Sequence, residues 1–176
     1  MTPIKLSPMV NVPKPTEMAR GPEYQRLLAD PDWVAEPKYD GDRCLVHHYG
    51  DRTRYWSRDY AIQHDVGVTI RDLIHGSIPP LSILDGEFVA GQLVIFDAPC
   101  WEGRYWRRSL DERRNFLAGC LPELGPVRLI QQLRSNGSDP FPVAIKSPHV
   151  EGIVLKDRRA VYPLKVKTET WKKVKA

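Results

Sequence analysis

The sequence predicts an α+β domain built on mainly antiparallel sheets and flanked by helices. Three observations carry this expectation. Strand-length runs occur in neighbouring pairs that meet at Asp40-Gly41 and Ala90-Gly91. Helical periodicity and capping signals are confined to a few short stretches. No internal repeat or low-complexity linker interrupts the chain.

Residues 1–20 are punctuated by proline and predict an extended arm. "GPEYQRLLAD" predicts a short helix with Pro22 at its first position, where a missing N–H costs nothing. Residues 33–39 and 43–49 read as two strands of a hairpin. Asp40-Gly41 would close it, because Asp-Gly readily adopts the left-handed geometry of a two-residue loop. A third strand is expected over 53–57. Val66, Ile70, Leu73 and Ile74 recur at helical spacing, predicting a helix over 65–75 with Gly76 as its stop. "SILDGEFVAGQLVIFDA" contains two strands. "SLDERRNFLAGC" carries a capping box, Ser109 with Glu112 three residues on, and Gly119 as its C-cap. "GIVLK" reads as a buried strand and "TWKKVK" as the last strand.

At 176 residues, 41% of them hydrophobic, the chain suits one domain with a real core. Lys and Arg outnumber Asp and Glu by 26 to 22, an excess that favours a polyanionic partner. Three cysteines without C-x-x-C spacing imply neither a disulfide framework nor a zinc site, and point to a reducing compartment. His47-His48 and His64-Asp65 offer no metal-ligand spacing. There is no signal-peptide core, and no run approaches the ~18 apolar residues of a membrane span. A cytoplasmic protein without a membrane partner is expected.

The placement of charge suggests chemistry. A lysine lies at the end of a strand in "EPKYDGDR", and acidic residues stand at strand starts in "LDGEFV" and "VEGIVLK". Lys173 and Lys175, two apart, share one face of the last strand. One reaction uses these types together. A lysine amine attacks a nucleotide α-phosphate, Mg²⁺ near carboxylates offsets phosphate charge, and further lysines neutralise the transition state. The attacking amine must be neutral, and with an ordinary pKa near 10.4 only about one free lysine in two to three thousand is neutral at pH 7. Neighbouring cations disfavour the ammonium form, so a metal ion and Lys175 would serve twice.

These residues resemble a known family. "EPKYDGDR" is similar to motif I, K-x-D-G-x-R, of the covalent nucleotidyltransferases: ATP-dependent DNA ligases, RNA ligases and mRNA capping enzymes. Further matches follow in family order. Ser57-Arg58 resembles motif Ia and "LDGEFV" motif III. "VIFDAPCWEG" with "LDERRNFL" resembles motif IIIa and the segment after it in DNA ligases, "EGIVLK" motif IV, and "WKKVK" motif V. The resemblance implies an ATP-grasp-like core of two packed, mainly antiparallel sheets, spanning residues 1–176 as an adenylation domain.

It also implies roles. Lys38 would be the nucleophile that becomes lysyl-AMP, assisted by Lys173 and Lys175 at the phosphates. Glu36 would read adenine, largely through its backbone. Arg43 and Arg58 would contact ribose or phosphates, Phe96 would stack on the base, and Glu87 and Glu151 would face the metal. Lys156 is either a further phosphate contact or a solvated strand end. Lys165 and Lys167 share the K-x-K alternation of motif V, but the Tyr-to-Trp spacing before "WKKVK" favours the later pair. Asp40-Gly41 would set Lys38 and Arg43 on adjoining strands, with Gly41 leaving room for a phosphate.

The implied cofactors are ATP and Mg²⁺ or Mn²⁺, and the implied partner is nicked double-stranded DNA, bound by a monomer. Glu36 and "FDAPCWEG" favour DNA ligase over an RNA ligase, a GTP-using capping enzyme, or a domain that only binds nucleic acid. In the family an OB-fold domain follows motif V, whereas this sequence stops at Ala176 and the OB-fold domain is expected to be absent. The five arginines of "GRYWRRSLDERR", interleaved with aromatics, fit a phosphate-contacting surface or a solvated helix face.

Overall fold

The computed structural model describes residues 12–122, 124–133, 138–164 and 167–176. Two sheets pack face to face. The first has the order β1-β10-β9-β2, from β1 (Lys14–Glu17), β10 (Lys167–Lys175), β9 (Val150–Asp157) and β2 (Trp33–Tyr39). The second runs β4-β3-β5-β6-β7, from β4 (Thr53–Trp56), β3 (Asp42–His48), β5 (Ser82–Val89), β6 (Gln92–Trp101) and β7 (Arg104–Tyr105). A short β8 (Val127–Leu129) pairs with β6.

Pleat alternation assigns each face. In the first sheet Ala35, Ile153, Leu155 and Val174 point one way. They meet Tyr24 and Leu27 of α1 (Pro22–Ala29) and Phe141 and Ala144 of α4 (Phe141–Ala144). In the second, Cys44, Val46, Leu84, Leu93 and Ile95 pack outward on α2 (Gly67–Ser77), α3 (Leu110–Cys120) and β8. The remaining faces meet each other. Trp171 and Val154 from the first sheet contact Ile83 and Phe96 from the second.

The α+β architecture, the Pro22 helix start, the Ser109–Glu112 capping box and the Ala90-Gly91 hairpin are as expected. Four local expectations are corrected. First, β2 and β3 do not pair with each other: the turn at Asp40-Gly41 carries the chain from one sheet to the other. Neither turn residue takes positive φ, unlike Ala90 and Gly91. Gly41 is needed because a Cβ there would lie 2.6 Å from the Phe88 carbonyl oxygen, a neighbour in the fold rather than a phosphate.

Second, the described part of the N-terminal arm is a strand. β1 pairs in parallel with β10, Lys14 opposite Lys167 and Glu17 opposite Lys173; residues 1–11 lie outside the described residues. Third, Gly76 and Gly119 do not stop their helices, which run on to Ser77 and Cys120, and Leu73 is 39% exposed rather than core. Fourth, Arg113 belongs to no solvated face. It is fully buried, donating from Nε and Nη2 to the two Asp97 oxygens at 2.6 and 2.9 Å.

The two helical glycines give a direct expectation. A Cβ at Gly76 or Gly119 meets nothing within 4 Å, and neither has positive φ. Gly76→Ala and Gly119→Ala should each stabilise by about 0.5–1 kcal/mol, read as a higher urea midpoint at unchanged slope.

Candidate active site

Three strands of the first sheet bring the site together rung by rung. Lys38 on β2 and Lys175 on β10 both lie opposite Gly152 on β9. Two residues along, Glu36 and Lys173 flank Val154, and two further, Val34 and Trp171 flank Lys156. A two-residue repeat keeps these side chains on one face, the face turned to the second sheet. There Arg43 and Glu87 are paired neighbours on β3 and β5. Between the sheets is a cavity of about 490 Å³. Glu36, Lys38, Arg43, Arg58, Glu87, Phe96, Lys156, Lys173 and Lys175 all line it.

Glu151, the remaining expected residue, binds the rim. Lys38 Nζ donates to its Oε1, and Lys175 Nζ donates to Oε2 at 2.8 Å. Burial opposes the Glu151 charge, but the bonds from Lys175 and Lys38 outweigh it and hold the carboxyl below its ordinary pKa. The same contact raises the Lys175 ammonium above its ordinary value. Lys173 pairs with Glu17 of β1 at 3.3 Å. Of the alternative lysine pair, Lys165 lies outside the described residues and Lys167 begins β10, opposite Lys14.

Deeper in the cavity the charges are dry. Lys156 is 2% exposed, not a solvated strand end. Its ammonium lies 2.6 Å from Glu36 Oε2 and stands over the rings of Trp171 (4.4 Å) and Phe96 (4.6 Å). Glu36 is 1% exposed, and its Oε1 is buried without a hydrogen-bond partner among the described residues. Arg43 holds Asp85 with two bonds of 2.5 Å, its guanidinium 4.8 Å from the Phe96 ring centre.

Glu87 is pushed up to about 7. Burial is the main cause, opposed by the charges of Arg43 and Lys38 and by the bond from the Gly41 N–H, and assisted by Asp85. A carboxyl raised in the folded state keeps its proton while the unfolded chain has lost it, so stability falls as pH rises from about 4.5 to about 7. Glu87→Gln keeps the acceptor but removes that slope. The melting temperature of the parent should fall relative to the variant across this window, and parallel curves would refute the assignment.

Several residues at or behind the cavity wall were not foreseen. Asp85 sits one pleat before Glu87, so the i, i+2 alternation of "LDGEFV" could have revealed it. Lys14 reaches the cavity through a pairing with β10 that no local signal announces. His64 also lines it, its Nε2 3.2 Å from the Arg43 carbonyl oxygen.

Residues 19–94 match the family described as "ATP dependent DNA ligase domain". Over those residues, less than half of the chain, the sequence is similar to that family. Among ligase relatives, the SPbeta prophage-derived DNA ligase-like protein LigB of Bacillus subtilis is 24% identical over 170 residues, 82% of this chain and 62% of that protein. DNA ligase 1 of Korarchaeum cryptofilum is 27% identical over 179 residues, 80% of this chain and 32% of that protein. The chain thus spans less than two thirds of the length of either relative. The ATP-dependent DNA ligase of bacteriophage T7, solved in complex with ATP, superposes with a TM-score of 0.68 at 16% identity, covering 98% of this chain and 69% of that one. The two-sheet core is therefore the ligase fold. No helix among the described residues is long and apolar enough to cross a membrane.

Proposed function

We propose that residues 1–176 act as the adenylation domain of an ATP-dependent DNA ligase. Lys38 Nζ attacks the α-phosphate of ATP, a P–N bond forms as the bond to pyrophosphate breaks, and the amine proton is lost. The AMP then passes from Lys38 to the 5′-phosphate of nicked DNA, and the 3′-hydroxyl displaces it to close the strand. The observation that carries this reading is convergence. Side chains from six separated motifs line or rim one cavity, with Lys38 and Lys175 sharing a single carboxylate at its edge.

In this reading Glu151 holds the place an α-phosphate would take between the two ammonium groups, and nucleotide binding separates it from them. Lys173 and Lys175 carry charge that a pentavalent phosphate needs. Arg43, fixed by Asp85, faces ribose or phosphate, and Phe96 and Trp171 supply an aromatic wall for the base. Among the described residues no three His, Cys, Asp or Glu side chains gather as a metal cage. Two carboxylates, Glu87 and Glu151, still suit Mg²⁺ or Mn²⁺, because Mg²⁺ commonly binds through one or two carboxylates with water and substrate phosphates completing its shell. Those residues would hold the ion, whose charge would offset that of the phosphates.

The base follows from Glu36. Its Oε1 is a buried acceptor in need of a donor. Adenine presents an amino group, whereas guanine presents a carbonyl oxygen at the same ring position and would leave two acceptors facing each other. Incubated with α-labelled ATP and Mg²⁺, the chain should form a covalent adduct that resists alkali and is released by acid. GTP should label it roughly a hundredfold less or weaker still, and nicked DNA should then discharge the label. Preferential labelling by GTP would favour a capping enzyme, discharge only to nicked RNA an RNA ligase, and no adduct would defeat the reading.

A further inference from the structure

We infer that Tyr162 is a positioning residue for adenylation, its buried hydroxyl holding the Arg43 guanidinium at the cavity wall through Asp85. The inference rests on the functional reading above but concerns a residue given no role there, in the loop between β9 and β10.

Asp85 is fully buried and accepts three bonds of 2.5 Å: from Arg43 Nε to Oδ1, from Arg43 Nη2 to Oδ2, and from the Tyr162 hydroxyl to Oδ2. A buried carboxylate is tolerated only when both its charge and its lone pairs are matched. Arg43 supplies the charge, and Tyr162 supplies the donor that the guanidinium leaves unmet. With Nε and Nη2 committed, Nη1 makes one long contact among the described residues, to the Pro13 carbonyl oxygen at 3.5 Å. The guanidinium therefore presents a weakly held edge in a fixed orientation, which is what recognition of a ribose or phosphate oxygen requires.

Tyr162 is itself held in place. Its ring meets Trp171 edge-to-face with centroids 5.8 Å apart. Arg113 stands 5.9 Å from the same ring and donates from Nη1 to the Ala160 carbonyl oxygen at 3.1 Å, pinning the loop that carries Tyr162. Burial and the Asp85 charge hold the hydroxyl well above its ordinary pKa, so it stays a donor across the working pH range. Tyr162→Phe keeps the ring contacts and removes only that donor.

The test measures single-turnover adduct formation from saturating ATP in the parent chain, Tyr162→Phe, Arg43→Lys and the double variant. Arg43→Lys keeps a positive charge beside Asp85, and thermal melts check that each variant folds. Tyr162→Phe should slow the reaction roughly tenfold, in line with losing a hydrogen bond to a charged group. Arg43→Lys should slow it further, and the double variant should be no slower than Arg43→Lys, because the hydroxyl acts only through the guanidinium. Unchanged rates in Tyr162→Phe, or losses that multiply in the double variant, would overturn the inference. A second readout needs no catalysis: the Arg43 Nε–H resonance should resist solvent exchange in the parent and exchange at least several-fold faster in Tyr162→Phe. If the parent forms no adduct, the functional reading fails, while this measurement still decides whether Tyr162 holds Arg43. Equal exchange in both proteins would refute it.

Discussion

Lys38→Ala and Lys38→Arg should abolish the AMP adduct, leaving less than about one part in a thousand of the parental labelling. Alanine removes the nucleophile. Arginine keeps the charge and the reach, but its guanidinium does not lose a proton at any working pH and so offers no lone pair. The fold should survive both changes. Lys38 is partly exposed, its partner Glu151 retains Lys175, and partly solvated ion pairs contribute about 1 kcal/mol or less. Near-parental melting with no labelling is therefore the expected pair of results. Labelling that persists would move the nucleophile to another lysine lining the cavity, such as Lys173 or Lys175.

Gly152→Ala should be the most damaging single substitution at the site, although it adds only one carbon and touches no charge. A Cβ at this position would lie 2.0 Å from the Val174 carbonyl oxygen and 3.0 Å from the Lys175 Cα. The obstacle is the backbone of the adjacent strand, so no side chain can turn aside to relieve it. β10 must lift away from β9, which breaks the rung that sets Lys175 opposite Lys38. A loss of about 3 kcal/mol or more is expected, at the upper end of overpacking costs. It should appear as a lowered urea midpoint together with a failure to form the adduct. Parental stability in Gly152→Ala would mean that the strands do not approach this closely.

Much of this site was legible because its residues lie two apart on strands. Glu36 and Lys38, like Lys173 and Lys175, declare a shared face by alternation alone, and the capping box and the Ala90-Gly91 turn are local signals that the fold obeys. What escaped was long-range. The pattern "KYDGDR" reads the same whether its two strands pair with each other or with different sheets, because the partner strands β9 and β5 lie far along the chain. Arg113 looked like surface because its partner Asp97 belongs to another element. The glycines expected to end α2 and α3 are simply carried within them, since hydrogen bonding and packing override a weak local preference.

The interleaved order of the first sheet has a kinetic meaning. Its strands come from residues 14–17, 33–39, 150–157 and 167–175, whereas β3 to β7 of the second are drawn from the contiguous stretch 42–105. Contacts between nearby residues close quickly and distant ones slowly, because a long loop must be ordered before its pairing rewards it. The second sheet is thus the early-forming half, a platform bearing Arg43 and Glu87 with nothing opposite them. Lys38, Lys173 and Lys175 join it only when the far segments zip together, so nucleotide-binding competence should mark the final step of folding.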